Sequence, residues 1–259
     1  MSYDDDLRLA HVLADSAERV TMARFRAEDL RVETKPDLTP VSDADRAVEE
    51  LMRGQLARAR PRDAVEGEEY GTTGHGSRRW ILDPIDGTKN FVRGVPVWAT
   101  LIALVDGDEP VVGLVAAPAL QGRWWAAKDA GAYAGRSLTS ARPLKVSRVS
   151  KLADASLSYA SLGGWSDIDR RDDFVGLMDE CWRTRAYGDF WSYMLLAEGA
   201  VDIAAEPRLA TYDMAALVPI VIEAGGRFTG LDGLDGCWSG NAVATNGLLH
   251  DAVLDRIGD

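Results

Sequence analysis

The sequence has few of the residues that bind soft metals or build disulfide scaffolds. Its 259 residues include only two cysteines, Cys181 and Cys237, and only three histidines. The cysteines are far apart and form no CxxC pair, so we expect two unreactive thiols rather than a disulfide framework or a thiolate metal site. The histidines, His11, His75 and His250, lack the spacing of metal ligands, which argues against a histidine-based zinc site. A metal ion in this protein would therefore need oxygen ligands.

Positive charge and long apolar runs are also scarce. The chain has 29 lysines and arginines against 41 acids, a net charge of −12, which disfavours binding to nucleic acid or to an anionic membrane through a basic face. No apolar run approaches the roughly 20 residues of a membrane span. The acidic start, MSYDDDLRLA, differs from the basic start of a signal peptide. We therefore expect a cytoplasmic protein. Because the net charge is negative, an anionic substrate would need a bound cation to be attracted.

The composition, 46% hydrophobic and 27% charged, is typical of a soluble globular protein. Its length allows one large domain or two closely packed halves. We predict an α+β half over residues 1–148. It has helices from Asp4 to about Ala27 and from Asp43 to Ala59, an irregular loop from Lys35 to Pro40, and an antiparallel meander between Val97 and Tyr133.

Residues 149–259 show the alternation of strands and helices that is typical of an α/β half. We predict, in chain order, a strand over 156–162, helices over 172–182 and 190–199, a strand over 201–205, a helix over 214–224, strands near Phe228 and Ala242, and a helix over 248–257. A ligand site at the junction of the two halves is expected, since such junctions often form pockets.

The stretch WILDPIDGTKNF, Trp80 to Phe91, ends an apolar strand in two carboxylates, Asp83 and Asp86. Asp-Pro and Asp-Gly are common in turns, so this fragment alone is equally compatible with a structural role. Glu68 precedes it by one short loop. If the three acids converge, leaving them without a cation would be very unfavourable. Such an oxygen-rich set suits Mg²⁺ together with waters and a substrate phosphate.

The turn after Asp86 supplies groups that suit an anion. Gly87 lets the backbone approach a ligand closely, and Thr88 offers a hydroxyl. If a helix begins at Thr88, the N–H groups of its first turn face the anion. Carboxylates on one side and amides on the other indicate a phosphate site.

Several motifs together resemble the inositol monophosphatase family over essentially the whole chain. They are the GEE of residues 67–69, the DPIDGTKNF of residues 83–91, an upstream segment with Lys35, Thr39 and Asp45, and a late Tyr-Asp pair before a helix ending in EAGG. The resemblance implies a layered αβαβα sandwich and a Mg²⁺-dependent phosphoric monoester hydrolase. It also implies a homodimer, two or three Mg²⁺ per active site, and inhibition by Li⁺ and Ca²⁺.

The resemblance assigns roles to individual residues. Thr88 would orient the attacking water, and Asp45 would join that network or a weaker third metal. Glu68 would share in catalysis, and Gly87 and Thr88 would donate backbone N–H groups to the phosphate. Tyr212 departs from the family, which usually has Trp there, but that ring is not a ligand. The implied metal ligands are Glu68, Asp83, the carbonyl of Ile85, Asp86 and Asp213.

The resemblance also implies a mechanism that uses two metal ions. One Mg²⁺, held by Glu68 and Asp83 near Thr88, would lower the pKa of the attacking water. A second Mg²⁺, shared by Asp83, Asp86 and Asp213, would stabilise the departing alkoxide.

The same resemblance places the alcohol end of the substrate against Arg185, Gly188, Asp189 and Glu206. Inositol-type enzymes usually have a small neutral or hydroxyl residue where this chain has Asp189. The segments DPIDGTKNFVRGVPVWATLIAL, AYGDFWSY and AVATNGLLHD resemble most the histidinol-phosphate phosphatases that actinobacteria build on this fold. The implied function is hydrolysis of L-histidinol phosphate in histidine biosynthesis. The alternatives are an inositol-1-phosphate or broad sugar-phosphate phosphatase, and a non-catalytic regulatory binding protein.

Four residues near these motifs have more than one interpretation. Asp189 could instead cap the helix that begins near Phe190. Lys35 could approach the phosphate or be solvated. We expect Glu69 to support the site from behind the ligands or to lie at the surface, and Lys89 to be a surface charge.

Overall fold

The structure, a computed structural model, describes residues 2–36 and 38–258; Asp37, within the predicted loop, lies outside the described residues. The α-helices of these residues alternate with strands along the chain. They are α1 (Asp4–Arg24), α2 (Asp43–Ala59), α3 (Thr88–Val92), α4 (Gly163–Asp167), α5 (Arg171–Glu180), α6 (Asp189–Ala197), α7 (Thr211–Met214), α8 (Leu217–Glu223) and α9 (His250–Ile257).

The strands of the first half form a short hairpin and one large sheet. The hairpin is β1 (Val32–Thr34) with β2 (Pro40–Ser42). The large sheet has the spatial order β10-β9-β8-β7-β6-β5-β3-β4. Its strands are β3 (Ala64–Gly67), β4 (Gly71–Thr73), β5 (Arg78–Asp86), β6 (Ala99–Asp106), β7 (Glu109–Ala117), β8 (Gly122–Ala127), β9 (Ala132–Gly135) and β10 (Ala141–Pro143).

The strands of the second half form a smaller mixed sheet of order β12-β11-β13-β15-β14. β12, β11 and β13 run parallel, whereas β13, β15 and β14 pair antiparallel. The strands are β11 (Ser156–Ser158), β12 (Arg183–Arg185), β13 (Ile203–Glu206), β14 (Arg227–Thr229) and β15 (Ala242–Thr245).

The amphipathic helices α1 and α2 cover one face of the large sheet. In α1, Ala10, Leu13, Ala14 and Ala17 are fully buried at helical spacing, which gives the narrow apolar stripe that packs on a sheet. α2 begins at the predicted residue because Ser42 and Asp45 form a reciprocal capping box, which satisfies N–H groups at the start of the helix. These two helices and the sheet share one hydrophobic core.

The remaining layers complete an αβαβα sandwich. The other face of the large sheet packs on α6 and α8, which also contact the inner face of the small sheet through Ala204, Phe228 and Ala244. The outer face of the small sheet is covered by α5 and α9 in a third core. The five-layer architecture expected from the sequence is therefore confirmed. The middle core contains residues of both halves, so the site-bearing loops are fixed on a continuous framework.

Five local predictions need correction. The strand predicted over 156–162 ends at Ser158. The segment 35–40 was expected to be wholly irregular, but it connects the hairpin strands β1 and β2, and Pro40 begins β2. The helix predicted over 214–224 is interrupted after Met214. Pro219 explains the break, because proline lacks an N–H and its ring clashes with the carbonyl four residues earlier, at Ala215. The first helix ends at Arg24, one turn before Ala27. The edge strand β12 was not predicted, since its Arg-Thr-Arg sequence lacks an apolar signal.

Both cysteines are unpaired. Burial raises the pKa of the Cys181 thiol to about 11 and that of Cys237 to about 12. Both thiols therefore stay protonated and weakly nucleophilic near neutral pH. Among the helices of the described residues, none combines the length and apolar character that crossing a membrane requires.

Candidate active site

The central strand β5 brings Asp83 and Asp86 to the same side. Residues three apart in a regular strand point to opposite faces, but the pairing of β5 with β6 shifts register between these two residues. Pro84 lies within the shift and cannot donate to a strand neighbour. Its carbonyl accepts a hydrogen bond of 2.8 Å from the Thr100 hydroxyl. The irregularity thus lets both carboxylates reach one site.

Asp213 completes a group of three carboxylates. Ligand oxygens of Asp83, Asp86 and Asp213 all lie within 4.8 Å of one another. Asp213 lies on α7, in the second half of the chain, and accepts a 2.7 Å hydrogen bond from the backbone N–H of Ala210. Asp83 is 1% exposed, and its Oδ1 has no hydrogen-bond partner among the described residues. Three of the predicted metal ligands are therefore brought together.

The electrostatics of this group favour a cation. Burial first, and then the neighbouring carboxylates, raise the pKa of Asp83 and of Asp86 well above the usual range. Burial raises the pKa of Asp213 to about 7. Mg²⁺ prefers oxygen ligands such as these carboxylates. A bound Mg²⁺ would also give a partner to the buried carboxylate oxygen that has none, so the residues present fit this ion.

Glu68 lies beside the three acids but is paired with a lysine. Lys35 Nζ is 2.7 Å from Oε1 of Glu68 and 2.6 Å from Oε1 of Glu69. Glu68 is nonetheless close enough to Asp83 to raise the pKa of that carboxyl. The structure therefore places the predicted ligand Glu68 beside the group, and Lys35 bridges it to Glu69.

Glu49, on α2, anchors the turn that carries Glu68. Its buried carboxylate accepts hydrogen bonds from the backbone N–H groups of Glu69, at 2.7 Å, and Tyr70, at 3.2 Å, and pairs with Arg53. Gly67 is required next to it, because a side chain there would overlap the Glu49 carboxylate. Sequence reasoning missed Glu49. The available signal was an acid at an inward helical position, one turn before Arg53.

The turn after Asp86 has the predicted form. Gly87 adopts the left-handed conformation, φ 85°, and α3 begins at Thr88, as glycine permits. The Thr88 hydroxyl lies 3.0 Å from the carbonyl of Ile85 and 3.3 Å from Oδ1 of Asp45. Asp45 is held in turn by the N–H and hydroxyl of Ser42. Thr88, Asp45 and the Ile85 carbonyl therefore form one network.

A cavity of about 590 Å³ opens beside the acids, between the two halves. It is lined by Asp86, Gly87, Thr88 and Asp213 and, from the second half of the chain, also by Gly188, Asp189 and Glu206. Arg185 is not among the lining residues; its exposed guanidinium donates to the carbonyl of Thr184. Lys89 is exposed at the rim.

Two further acids of the second half of the chain line the wall of the cavity. Glu206 is 6% exposed, its Oε1 has no hydrogen-bond partner among the described residues, and burial raises its pKa to about 8. Burial also raises the pKa of Asp189. Asp189 does not cap α6, because it is the first residue of the helix and the N-cap position is Gly188, with no side-chain cap bond. The N–H of Phe190 donates to Asp86. Oδ2 of Asp189 accepts a hydrogen bond from Asn90.

Comparison with known proteins identifies the family. The model of the inositol monophosphatase family matches residues 3–257. The chain belongs to the inositol monophosphatase family.

Two relatives match this chain over nearly their whole length. The chain is 66% identical to the histidinol-phosphatase of Streptomyces coelicolor, over 97% of this chain and 96% of that one. It is 61% identical to the histidinol-phosphatase of Mycobacterium tuberculosis, over 98% of each chain. Among solved structures, an inositol monophosphatase from Zymomonas mobilis superposes with a TM-score of 0.88 at 34% identity, over 99% of both chains.

Proposed function

We propose that this member of the inositol monophosphatase family hydrolyses L-histidinol phosphate to L-histidinol and phosphate, in histidine biosynthesis. The observation that carries the proposal is one cavity that is lined both by carboxylates of the cluster, Asp86 and Asp213, and by two further acids, Asp189 and Glu206. The two histidinol-phosphatase relatives, at 66% and 61% identity, support it.

The two wall acids suit the alcohol part of this substrate. Histidinol phosphate carries an ammonium group and a titratable imidazole beside its phosphate ester. A carboxylate in a partly buried wall makes a strong, charge-assisted hydrogen bond with an ammonium. Glu206 has an unpartnered oxygen and Asp189 has one oxygen not held by Asn90. A neutral polyol offers neither acid a cationic partner.

The Mg²⁺ on which the family generally depends would be held by Asp83, Asp86, Asp213, Glu68 and the carbonyl of Ile85. When bound, it supplies a Lewis acid that acidifies water and neutralises charge on the reacting phosphate and its leaving oxygen. In the chain itself, the Thr88 hydroxyl orients the attacking water, and Asp45 fixes the direction of that hydroxyl. The backbone N–H groups of Gly87 and Thr88 donate to the phosphate oxygens.

The contacts of Thr88 argue against its hydroxyl as the nucleophile. In our proposal water attacks phosphorus directly: the bond from the water oxygen to phosphorus forms as the bond from phosphorus to the histidinol oxygen breaks, and a proton of that water ends on the histidinol oxygen. The Thr88 hydroxyl is held by the carbonyl of Ile85 and by Asp45, which suits positioning of a water rather than attack on phosphorus. Catalysis then rests on orientation and electrostatics.

Phosphate release from a substrate panel tests the proposal. Purified protein is assayed on L-histidinol phosphate, inositol 1-phosphate and glucose 6-phosphate, each with Mg²⁺ and with chelator. We expect Mg²⁺-dependent release that is fastest per unit concentration from histidinol phosphate. Faster release from inositol 1-phosphate would replace the proposed substrate, and no release from any ester would favour a non-catalytic binding protein.

A further inference from the structure

The start of α6 and the turn from β5 into α3 exchange two hydrogen bonds at the edge of the cavity. The backbone N–H of Phe190 donates to Oδ2 of Asp86 at 2.8 Å, and Nδ2 of Asn90 donates to Oδ2 of Asp189 at 3.1 Å. Asp86 and Asn90 belong to the first half of the chain, whereas Asp189 and Phe190 belong to the second. Each half therefore holds a carboxylate of the other.

Asn90 is a rigid donor. Its Nδ2 also donates to the carbonyl of Val97 at 2.9 Å, so both hydrogens of the amide are used and the amide cannot turn its oxygen toward Asp189 without losing both bonds. Its backbone is fixed as well, because its N–H donates to the carbonyl of Gly87 and its carbonyl accepts from Val95. The side chain thus presents a hydrogen-bond donor in one direction.

Asp189 needs such a donor. Its backbone has a φ of 46°, a left-handed conformation that is uncommon for residues other than glycine. Its carboxylate lies next to that of Asp86 and raises the pKa of Asp86, so the two acids repel each other. The bond from Asn90 holds one oxygen of Asp189 and leaves Oδ1 for a ligand in the cavity.

We propose that Asn90 is a positioning residue for substrate specificity, which orients the Asp189 carboxylate toward the ammonium group of an amino-alcohol phosphate. The inference rests on the proposed function, since it needs a cationic alcohol as substrate. Asn90 itself does not touch the reacting atoms. It acts through Asp189, and this separates its effect from that of the metal ligands.

A double-mutant cycle tests this coupling. The variants are Asn90→Ala, Asp189→Asn and the double variant, each assayed at saturating Mg²⁺ on L-histidinol phosphate and on 2-glycerol phosphate, which lacks an ammonium. The quantity measured is the ratio of kcat/KM for the two esters. We expect Asn90→Ala to lower this ratio about tenfold, the size typical of one hydrogen bond to a charged group. In the Asp189→Asn background, Asn90→Ala should change the ratio little.

Thr100→Val is the matched control. Thr100 lies on β6, and the valine variant removes one buried hydrogen bond, to the carbonyl of Pro84, without touching Asp189. It should change the kcat/KM values of both esters by the same factor. Equal losses on both esters in Asn90→Ala, or an undiminished effect in the Asp189→Asn background, would overturn the inference. The wild-type protein distinguishes failure of this inference from failure of the proposed function. If the wild type does not prefer L-histidinol phosphate over 2-glycerol phosphate, the proposed substrate is wrong, whatever the variants do.

Discussion

Lys35 and Glu68 form an ion pair at the edge of the acid cluster, with 2.7 Å between Nζ and Oε1. The same ammonium contacts Glu69 at 2.6 Å. Lys35 thus neutralises part of the charge that Glu68 would otherwise bring to Asp83. A cation bound by Glu68 would compete with this lysine for the same carboxylate.

Removing Lys35 should therefore strengthen the stabilisation by Mg²⁺. In Lys35→Met, Glu68 and Glu69 lose their partner, and the bound cation relieves more repulsion. We expect the rise in melting temperature on adding Mg²⁺ to exceed that of the wild type by roughly 2–4 °C, the shift that about 1 kcal/mol produces in a chain of this size. Lys89→Met, an equal charge change at an exposed rim residue, is the control. Equal increments in the two variants would show that Lys35 does not compete with the cation.

Neutralising a ligand should remove activity but not the fold. In Glu68→Gln and Asp86→Asn, we expect loss of most phosphate release at saturating Mg²⁺, because a cation ligand is lost. Their melting temperature in chelator should equal or exceed that of the wild type, since repulsion among buried carboxylates is relieved. The amide oxygen that Asp86→Asn introduces can still accept the N–H of Phe190. Glu66→Gln, on β3 and paired with Arg79, is the control. Near-normal turnover in either ligand variant would refute the metal assignment.

Thr88→Ala should lower kcat by about 10²-fold or more while Mg²⁺ affinity changes less, because it removes a water-orienting hydroxyl without removing charge. Thr88→Ser keeps that hydroxyl and should retain most of kcat. The measurement is steady-state kinetics together with Mg²⁺ titration. If alanine and serine variants are equally active, Thr88 only shapes the turn.

The stability of the metal-free protein should fall as the pH rises. The pKa values of Asp213, about 7, and Glu206, about 8, lie above those of the unfolded chain. The folded state therefore keeps protons on these two acids that the unfolded chain has lost, and this contribution to stability disappears as the pH rises to about 8. Below about pH 6.5 the buried His11 and His250, whose pKa burial lowers to about 4, act in the opposite direction. Melting temperatures in chelator should therefore decrease from pH 6.5 to pH 8, and Mg²⁺ should reduce the decrease. A rise over this range in chelator would contradict the burial that raises the pKa of these two acids.

The layers and the acid cluster could be predicted because they leave strong local signals. α2 has a capping box and an apolar stripe. The six residues DPIDGT contain both the predicted metal ligands of β5 and the turn that leads into α3. The register shift in β5 could not be predicted in detail, yet it is what turns Asp83 and Asp86 to one side. The pairing of Lys35 with Glu68 and the bond of Asn90 to Asp189 depend on residues 33 and 99 positions apart. Such contacts follow from the tertiary structure and leave no periodic pattern.

The backbone of Asp189 determines which variant tests its charge. Threonine, a hydroxyl residue, is β-branched and disfavours the left-handed backbone found here, φ 46°, so Asp189→Thr would mix strain with lost charge. Asparagine tolerates this conformation. Asp189→Asn therefore isolates the charge of the carboxylate.

The ratio of kcat/KM for L-histidinol phosphate to that for inositol 1-phosphate, measured in the wild type and in Asp189→Asn at saturating Mg²⁺, tests the central claim most directly. The wild type should strongly favour histidinol phosphate. The variant should lose about 2 kcal/mol or more of that preference, because a charge-assisted contact to the ammonium is removed. A wild type that prefers inositol 1-phosphate, or a variant with the wild-type ratio, would contradict recognition of a cationic alcohol by this wall of the cavity.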